Sequence, residues 1–282
     1  MISTIITICD HIPVIERRPK NFQMEFRIFL PYCVSSDAEW ADIASLAKYE
    51  ATLERLLDSC GNAFPEQRED MYLVGGERYG IKYRAGKKLE IKIRLDVYEN
   101  NIEHFRKVKI GKKGQVESML HHKDEILTLL QADGVLFPTD DALITAQKLV
   151  GVQKARNVVP AGDNVQRETC MITTNAHDRK WFSISVEGPK DDLKRLLRSP
   201  DLGRGLPSSL IWETLHGALS LARQHGLSVA AERTFQPVVG GYPTWIRVAA
   251  VATRGEMEVK GVAGNVDSFL SSIMYEPVTT AR

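Results

Sequence analysis

Lys88-Leu-Glu-Ile-Lys-Ile-Arg-Leu95 sorts its side chains by parity: Leu89, Ile91, Ile93 and Leu95 fall on one face, Lys88, Glu90, Lys92 and Arg94 on the other. A period of two belongs to a β-strand, and a strand this polarised separates an apolar surface from a charged one. Three neighbouring segments carry the same signal. Lys82 and Arg84 stand two apart in 79–84, Lys107 and Lys109 in 105–110, and Lys154 and Arg156 in 150–158. Residues two apart on a strand share a face at about 6.6–6.8 Å. If these strands neighbour one another, eight cations gather on one surface, where like charges facing each other cost stability. A solvated face of an antiparallel sheet accounts for any single pair. Four recurring pairs with carboxylates among them equally fit a surface built for a polyanion.

Working outward, residues 23–30 (QMEFRIFL) alternate in the same way, with Met24, Phe26, Ile28 and Leu30 opposite Gln23, Glu25, Arg27 and Phe29. Further strands are predicted at 70–74, 166–174, 180–187, 227–234 and 244–252, with another at 256–261. Gly75-Gly76 and Ala85-Gly86 supply hairpin punctuation. Apolar residues at helical spacing predict helices over 37–57, 116–132, 140–148, 190–198, 208–225 and 265–274. These helices need apolar sheet faces to cover. Closing the sheet into a barrel meets that need: helices pack outside, edges vanish, and the charged faces line a lumen. Because unpaired buried charge is prohibitive, such a lumen is wet and binds ligand. The fold class expected is therefore α+β, a closed or nearly closed antiparallel barrel with helices outside.

The 282 residues carry 37 basic and 36 acidic side chains, a net charge of +1, and 43% hydrophobic residues. That excludes global disorder and a protein gripping nucleic acid with its whole surface. No long linker interrupts the chain, so a single domain over 1–282 is expected, with 1–20 and 276–282 loose. Cys9, Cys33, Cys60 and Cys170 are scattered without a CxxC pair, which suits a reducing compartment. The start lacks a basic leader segment and Asp10 breaks its apolar run; no stretch approaches about 18 apolar residues. A soluble, cytoplasmic protein without a membrane partner is expected.

Other motifs carry less. Gly203-Arg204-Gly205 and Gly240-Gly241 have neither P-loop nor dinucleotide-loop spacing and read as turns. His121-His122 is not an HExxH motif, and Cys170 reads as a core thiol. Trp40, Trp181, Trp212 and Trp245 read as packing residues. Aromatics interleaved with basic positions could also stack on bases, which keeps single-stranded nucleic acid as a second partner class.

The ordered set of strands resembles the CYTH, or triphosphate tunnel metalloenzyme, superfamily. Gln23-Met-Glu25-Phe-Arg27 is similar to its opening E-x-E-x-K strand, and Asp70-Met-Tyr72 to an early D-x-Y strand. The strands holding Lys82, Arg84, Glu90, Lys92 and Arg94 follow in order, and Ser183-Ile-Ser-Val-Glu187-Gly188 resembles a later strand ending in a carboxylate. Residues 22–190 carry the best match. The resemblance implies an eight-stranded tunnel binding a triphosphate-bearing small molecule, with Mg²⁺ or Mn²⁺ and hydrolysis of a phosphoanhydride. By position it implies Glu25, Glu90 and Glu187 as metal ligands, with Glu25 and Glu187 serving catalysis. Arg27, Lys82, Arg84, Lys92, Arg94, Lys154 and Arg156 would hold phosphate. Gln23 and Ser185 stand where the family carries carboxylates, and fewer anionic ligands weaken metal binding. A polyphosphate-, nucleotide- or RNA-binding module without metal-dependent chemistry is the alternative reading.

Overall fold

The computed structural model describes residues 22–32, 43–61, 64–73, 78–84, 88–98, 101–110, 123–132, 134, 149–175, 180–203, 205–224 and 237–251. In chain order these form β1 (Phe22–Tyr32), α1 (Ile43–Cys60), β2 (Glu66–Leu73), β3 (Tyr79–Arg84), β4 (Lys88–Tyr98), β5 (Ile102–Ile110), α2 (Lys123–Ala132), β6 (Leu149–Pro160), β7 (Gln166–Thr174) and β8 (Lys180–Gly188). They continue with α3 (Lys190–Arg198), α4 (Ser208–Gln224), β9 (Val238–Val239) and α5 (Tyr242–Val251).

The sheet runs β5-β4-β3-β2-β6-β7-β8-β1-β9, all neighbours antiparallel, and β1 also pairs with β5. That last pairing closes eight strands into a barrel. It covers only Phe22–Glu25 of β1; farther along, β9 pairs with β1 at Ile28 and Phe29. The seam therefore lets the chain bring a further segment to one end of the barrel.

Parity decides inside from outside around the whole barrel. Leu89, Ile91 and Ile93 of β4 pack with Ile81 and Ile110, and Ile126 and Leu130 of α2 cover them. Phe26, Ile28 and Leu30 of β1 join Phe182, Ile184 and Val186 of β8 beneath α1, α3 and α4. The helices thus lie on the outer apolar surface, and the alternate residues of every strand turn inward.

The strand expected over 244–252 is corrected in its described part: 244–251 belongs to α5, which fills one end of the lumen. Trp245 and Ile246 are buried against the inward residues Phe29, Tyr72, Val150, Cys170, Ile172 and Trp181. Trp245 lies 5.0 Å from the Phe29 ring in a stacked contact and 6.0 Å from Trp181 edge-on. A helix suits this position because it satisfies its own backbone hydrogen bonds, whereas a lone strand inside a barrel would leave them unpaired. Pro243 sits in its first turn, where a missing N–H costs nothing.

Glycines make the approach feasible. A Cβ on Gly80 would lie 2.6 Å from Pro243 Cγ, and one on Gly241 would lie 2.7 Å from Glu103 Oε2. Gly240 adopts a φ of 139°, accessible chiefly to glycine. The Gly241 N–H donates to Glu103 Oε2 at 2.8 Å, Arg94 Nη1 donates to Glu103 Oε1 at 3.1 Å, and the Gly240 N–H donates to the Arg27 carbonyl at 2.9 Å. Gly240-Gly241 is the turn expected from sequence, here the joint that docks α5.

The remaining elements agree closely with expectation, including α3 and strands β3, β7 and β8. Segments 140–148, 227–234, 256–261 and 265–274, the ends 1–20 and 276–282, and His121-His122 lie outside the described residues.

Candidate functional site

Above α5 the lumen holds a cavity of about 280 Å³. Its wall is supplied by inward positions of β1 to β8, and its floor by Tyr242 and Pro243, the first residues of α5. The positive end of the α5 dipole therefore faces the cavity. Of the residues singled out from sequence, Glu25, Arg27, Lys82, Arg84, Lys92, Lys154, Arg156 and Glu187 line this one space. Glu90 and Arg94 do not. Glu90 faces inward but outside this lining, against Lys82 at 2.8 Å and Arg84 at 3.7 Å, and Arg94 is engaged by Glu103 at 3.1 Å.

Arg27 is the hub. It is 5% exposed, and its guanidinium donates to Glu25 Oε1 at 2.7 Å, Ser183 Oγ at 3.1 Å and Glu168 Oε1 at 2.9 Å. Its Cζ also lies 4.6 Å from the Tyr242 ring centroid. Glu25 Oε2 accepts from Lys92, whose Nζ stands 3.7 Å from the Phe105 ring centroid. Lys154 is 2% exposed; it donates to Asp70 Oδ2 at 3.1 Å and Tyr72 Oη at 2.6 Å, and stands 3.6 Å from the Tyr242 ring centroid. Aromatic faces thus share the burial of these charges with carboxylates.

Sequence reading left out five residues of the cavity: Arg68, Gln166 and Glu168 of the wall, and Tyr242 and Pro243 of the floor. Lys107 was visible as half of a basic pair, and it contacts Glu187 at 2.8 Å. Arg68 joins Glu66 at 3.3 Å and Asp70 at 3.2 Å; Arg156 joins Glu168 at 2.6 Å and Glu66 at 3.4 Å.

The network sets the titration of its acids. Burial pushes the Glu25 carboxyl up, but Lys92, Arg27 and Lys107 together outweigh it and hold the group well below the carboxylate range. Burial of Glu90 is outweighed by Lys82 and Arg84, bringing it to about 2, and burial of Glu168 by Arg27 and Arg156, again to about 2. All three are ionised at neutral pH.

Eight cations line the cavity (Arg27, Arg68, Lys82, Arg84, Lys92, Lys107, Lys154 and Arg156) against three carboxylates, Glu25, Glu168 and Glu187. Three buried guanidinium donors on that wall, the Nε atoms of Arg68, Arg84 and Arg156, have no hydrogen-bond partner. Unpartnered buried donors are costly unless a ligand or water meets them.

A divalent ion would need several oxygens converging on one point. Among the described residues no three Asp, Glu, His or Cys side chains converge in that way. Glu25, Glu90 and Glu187 instead turn toward Lys92 and Arg27, Lys82 and Arg84, and Lys107 respectively. Moving Glu25 onto a metal would leave Lys92 without that partner and Arg27 with Glu168 alone, and breaking a buried pair costs about 3–5 kcal/mol. The residues as arranged do not fit Mg²⁺ or Mn²⁺.

No protein-family model matches the chain, and no curated protein matches it. Among solved structures, a protein from Hippeastrum put forward as an adenylyl cyclase and described as having a dominant triphosphatase activity is similar over 62% of this chain and 84% of that one. Identity is 13% and the TM-score 0.36. The closed eight-stranded antiparallel barrel is the architecture implied by the CYTH resemblance, and it rests here on the strand register itself. No helix among the described residues is long and apolar enough to cross a membrane.

Proposed function

We propose that the lumen binds the phosphate end of a triphosphate-bearing small molecule. The observation that carries this reading is the wall itself: eight cations to three carboxylates, with three buried guanidinium donors unpartnered. Arg holds phosphate oxygens through paired N–H groups and Lys through a compact charge, so a mixed set recruited from many strands suits a chain of phosphates. The cavity volume of about 280 Å³ admits a few phosphate groups and little else. A nucleic-acid strand threading the barrel would need both ends open, and α5 occupies one. Because the carboxylates do not fit a divalent ion, the reading is one of binding, and no hydrolytic step is derived.

Inorganic tripolyphosphate at about 100 times its Kd should stabilise the folded chain by about 2.7 kcal/mol, seen as a rise in Tm. Sulfate at equal ionic strength should give much less. Equal shifts for the two anions would contradict the reading.

The response to pH follows from the two buried lysines. Burial pushes Lys154 down to about 7, against the pull of Asp70, and Lys82 down to about 8, against Glu90. Between pH 7 and 9 both lose charge in the folded state while an unfolded lysine, near 10.5, stays protonated. The unfolded chain then binds more protons, so stability without ligand rises with pH across this window. Tripolyphosphate affinity should fall across the same window, although the anion itself gains charge. Calorimetric titrations at pH 7 and pH 9 check this; equal or tighter binding at pH 9 contradicts it.

A further inference from the structure

We infer that this lumen takes its polyanion without a divalent cation, the phosphate oxygens being met by the basic side chains of the barrel wall alone. The inference rests on the reading above, that phosphate groups enter the lumen, and adds the ionic form in which they do so.

The eight wall cations share six inward carboxylates: Glu25, Glu66, Asp70, Glu90, Glu168 and Glu187. Three of these, Glu66, Asp70 and Glu90, are not part of the cavity wall. Among the described residues the cavity lining itself therefore presents eight basic groups and three carboxylates, with the other three carboxylates paired to those same cations. With all six carboxylates counted, the described inward groups carry an excess of two positive charges, and a polyanion is met by donors recruited from many strands.

The wall carboxylates are also spent. Glu25 offers one oxygen to Arg27 and the other to Lys92; Glu168 offers one to Arg27 and the other to Arg156 at 2.6 Å. Of the three carboxylates on the lining, Glu187 alone is paired with one cation among the described residues, Lys107 at 2.8 Å. The remaining inward positions of β1 and β8 beside them are neutral. Ser185 is the Cα partner of Arg27, Ser183 that of Phe29, and Gln23 precedes Glu25 on the same face. One half-engaged carboxylate gives a hard cation a poor grip. Unpartnered buried atoms around the cavity include the Nε donors of Arg68, Arg84 and Arg156, and one neutral acceptor on the lining, Gln23 Oε1, which supplies no charge to a cation. Phosphate oxygens match the basic side chains of the lining, and Mg²⁺ in solution competes for the same oxygens.

The test is calorimetric titration of the full-length protein with inorganic tripolyphosphate, in EDTA and in excess Mg²⁺ or Mn²⁺, for the wild type and Glu187→Gln. The mouth position of Glu187, with 29% of its side chain exposed, makes the substitution tolerable to the fold. Saturable binding in EDTA, at least as tight as with either metal, is expected. Glu187→Gln removes a negative charge from the wall and should tighten binding in EDTA by about threefold or more. Binding that appears only with metal, or Glu187→Gln that keeps its Tm but binds more weakly, overturns the metal-free assignment while leaving the lumen reading standing. Absence of binding under every condition overturns both.

Discussion

Trp245→Ala lowers the stability of the chain by about 3–5 kcal/mol, measured by urea unfolding, a range set by burying and then deleting a large aromatic side chain. Trp245 is 0% exposed and touches Phe29, Trp181 and Tyr242, with ring centroids 5.0, 6.0 and 5.8 Å away. Those partners come from the paired strands β1 and β8 and from α5 itself, all held by the sheet, so no small movement refills the space. Trp245→Phe keeps most of the apolar volume and gives up only the indole N–H, which has no hydrogen-bond partner. It should cost much less than the alanine variant. A loss below about 1 kcal/mol for Trp245→Ala would mean that α5 is not packed into the barrel end, and the cavity would then lack its floor.

Arg156→Met weakens tripolyphosphate binding by about 10- to 100-fold while leaving the fold in place, since a hydrogen bond to a charged group contributes about 1.5–3 kcal/mol. The fold survives because both carboxylates that Arg156 holds have a second cation: Glu168 keeps Arg27 and Glu66 keeps Arg68. The Arg156 side chain lines the cavity, and its buried Nε makes no hydrogen bond, so its loss removes a cation from the wall without breaking a bond at that atom. Arg94→Met is the matched comparison. Arg94 lies behind the wall on Glu103, which also accepts from the Gly241 N–H, so its removal should loosen the seating of α5 and spare much of the phosphate affinity. Affinity changed less than about twofold by Arg156→Met would contradict the assignment of the wall.

Much of this was legible in the chain because period-2 alternation reports which face a residue takes, and a barrel uses every face twice. Lys82, Arg84, Lys92, Lys154 and Arg156 were found as basic pairs, and the register brings those pairs round one cavity. Arg68 escaped because the inward face of β2 reads Glu66, Arg68, Asp70, Tyr72, where mixed sign hides a cation from a search for like charges. Glu168 escaped for a similar reason: the inward face of β7, Gln166, Glu168, Cys170 and Ile172, carries a single charge. Arg94 was misplaced by one step of depth, since β4 is irregular between Arg94 and Asp96 and its pairing continues toward Glu103. The local composition of 242–251, rich in β-branched and aromatic residues, favours a strand. Its helical state is imposed by where it goes, a closed interior with no strand edge to pair with. Tertiary context overrode propensity there, and nothing local announces it.

The most direct measurement is a crystal structure of the protein grown with inorganic tripolyphosphate in EDTA. The phosphate chain should lie in the lumen above Tyr242, with oxygens within hydrogen-bond distance of the Arg68, Arg84 and Arg156 guanidinium groups. An anion seated on the outer helices, with the lumen's ion pairs as they stand and no density above Tyr242, would contradict the account.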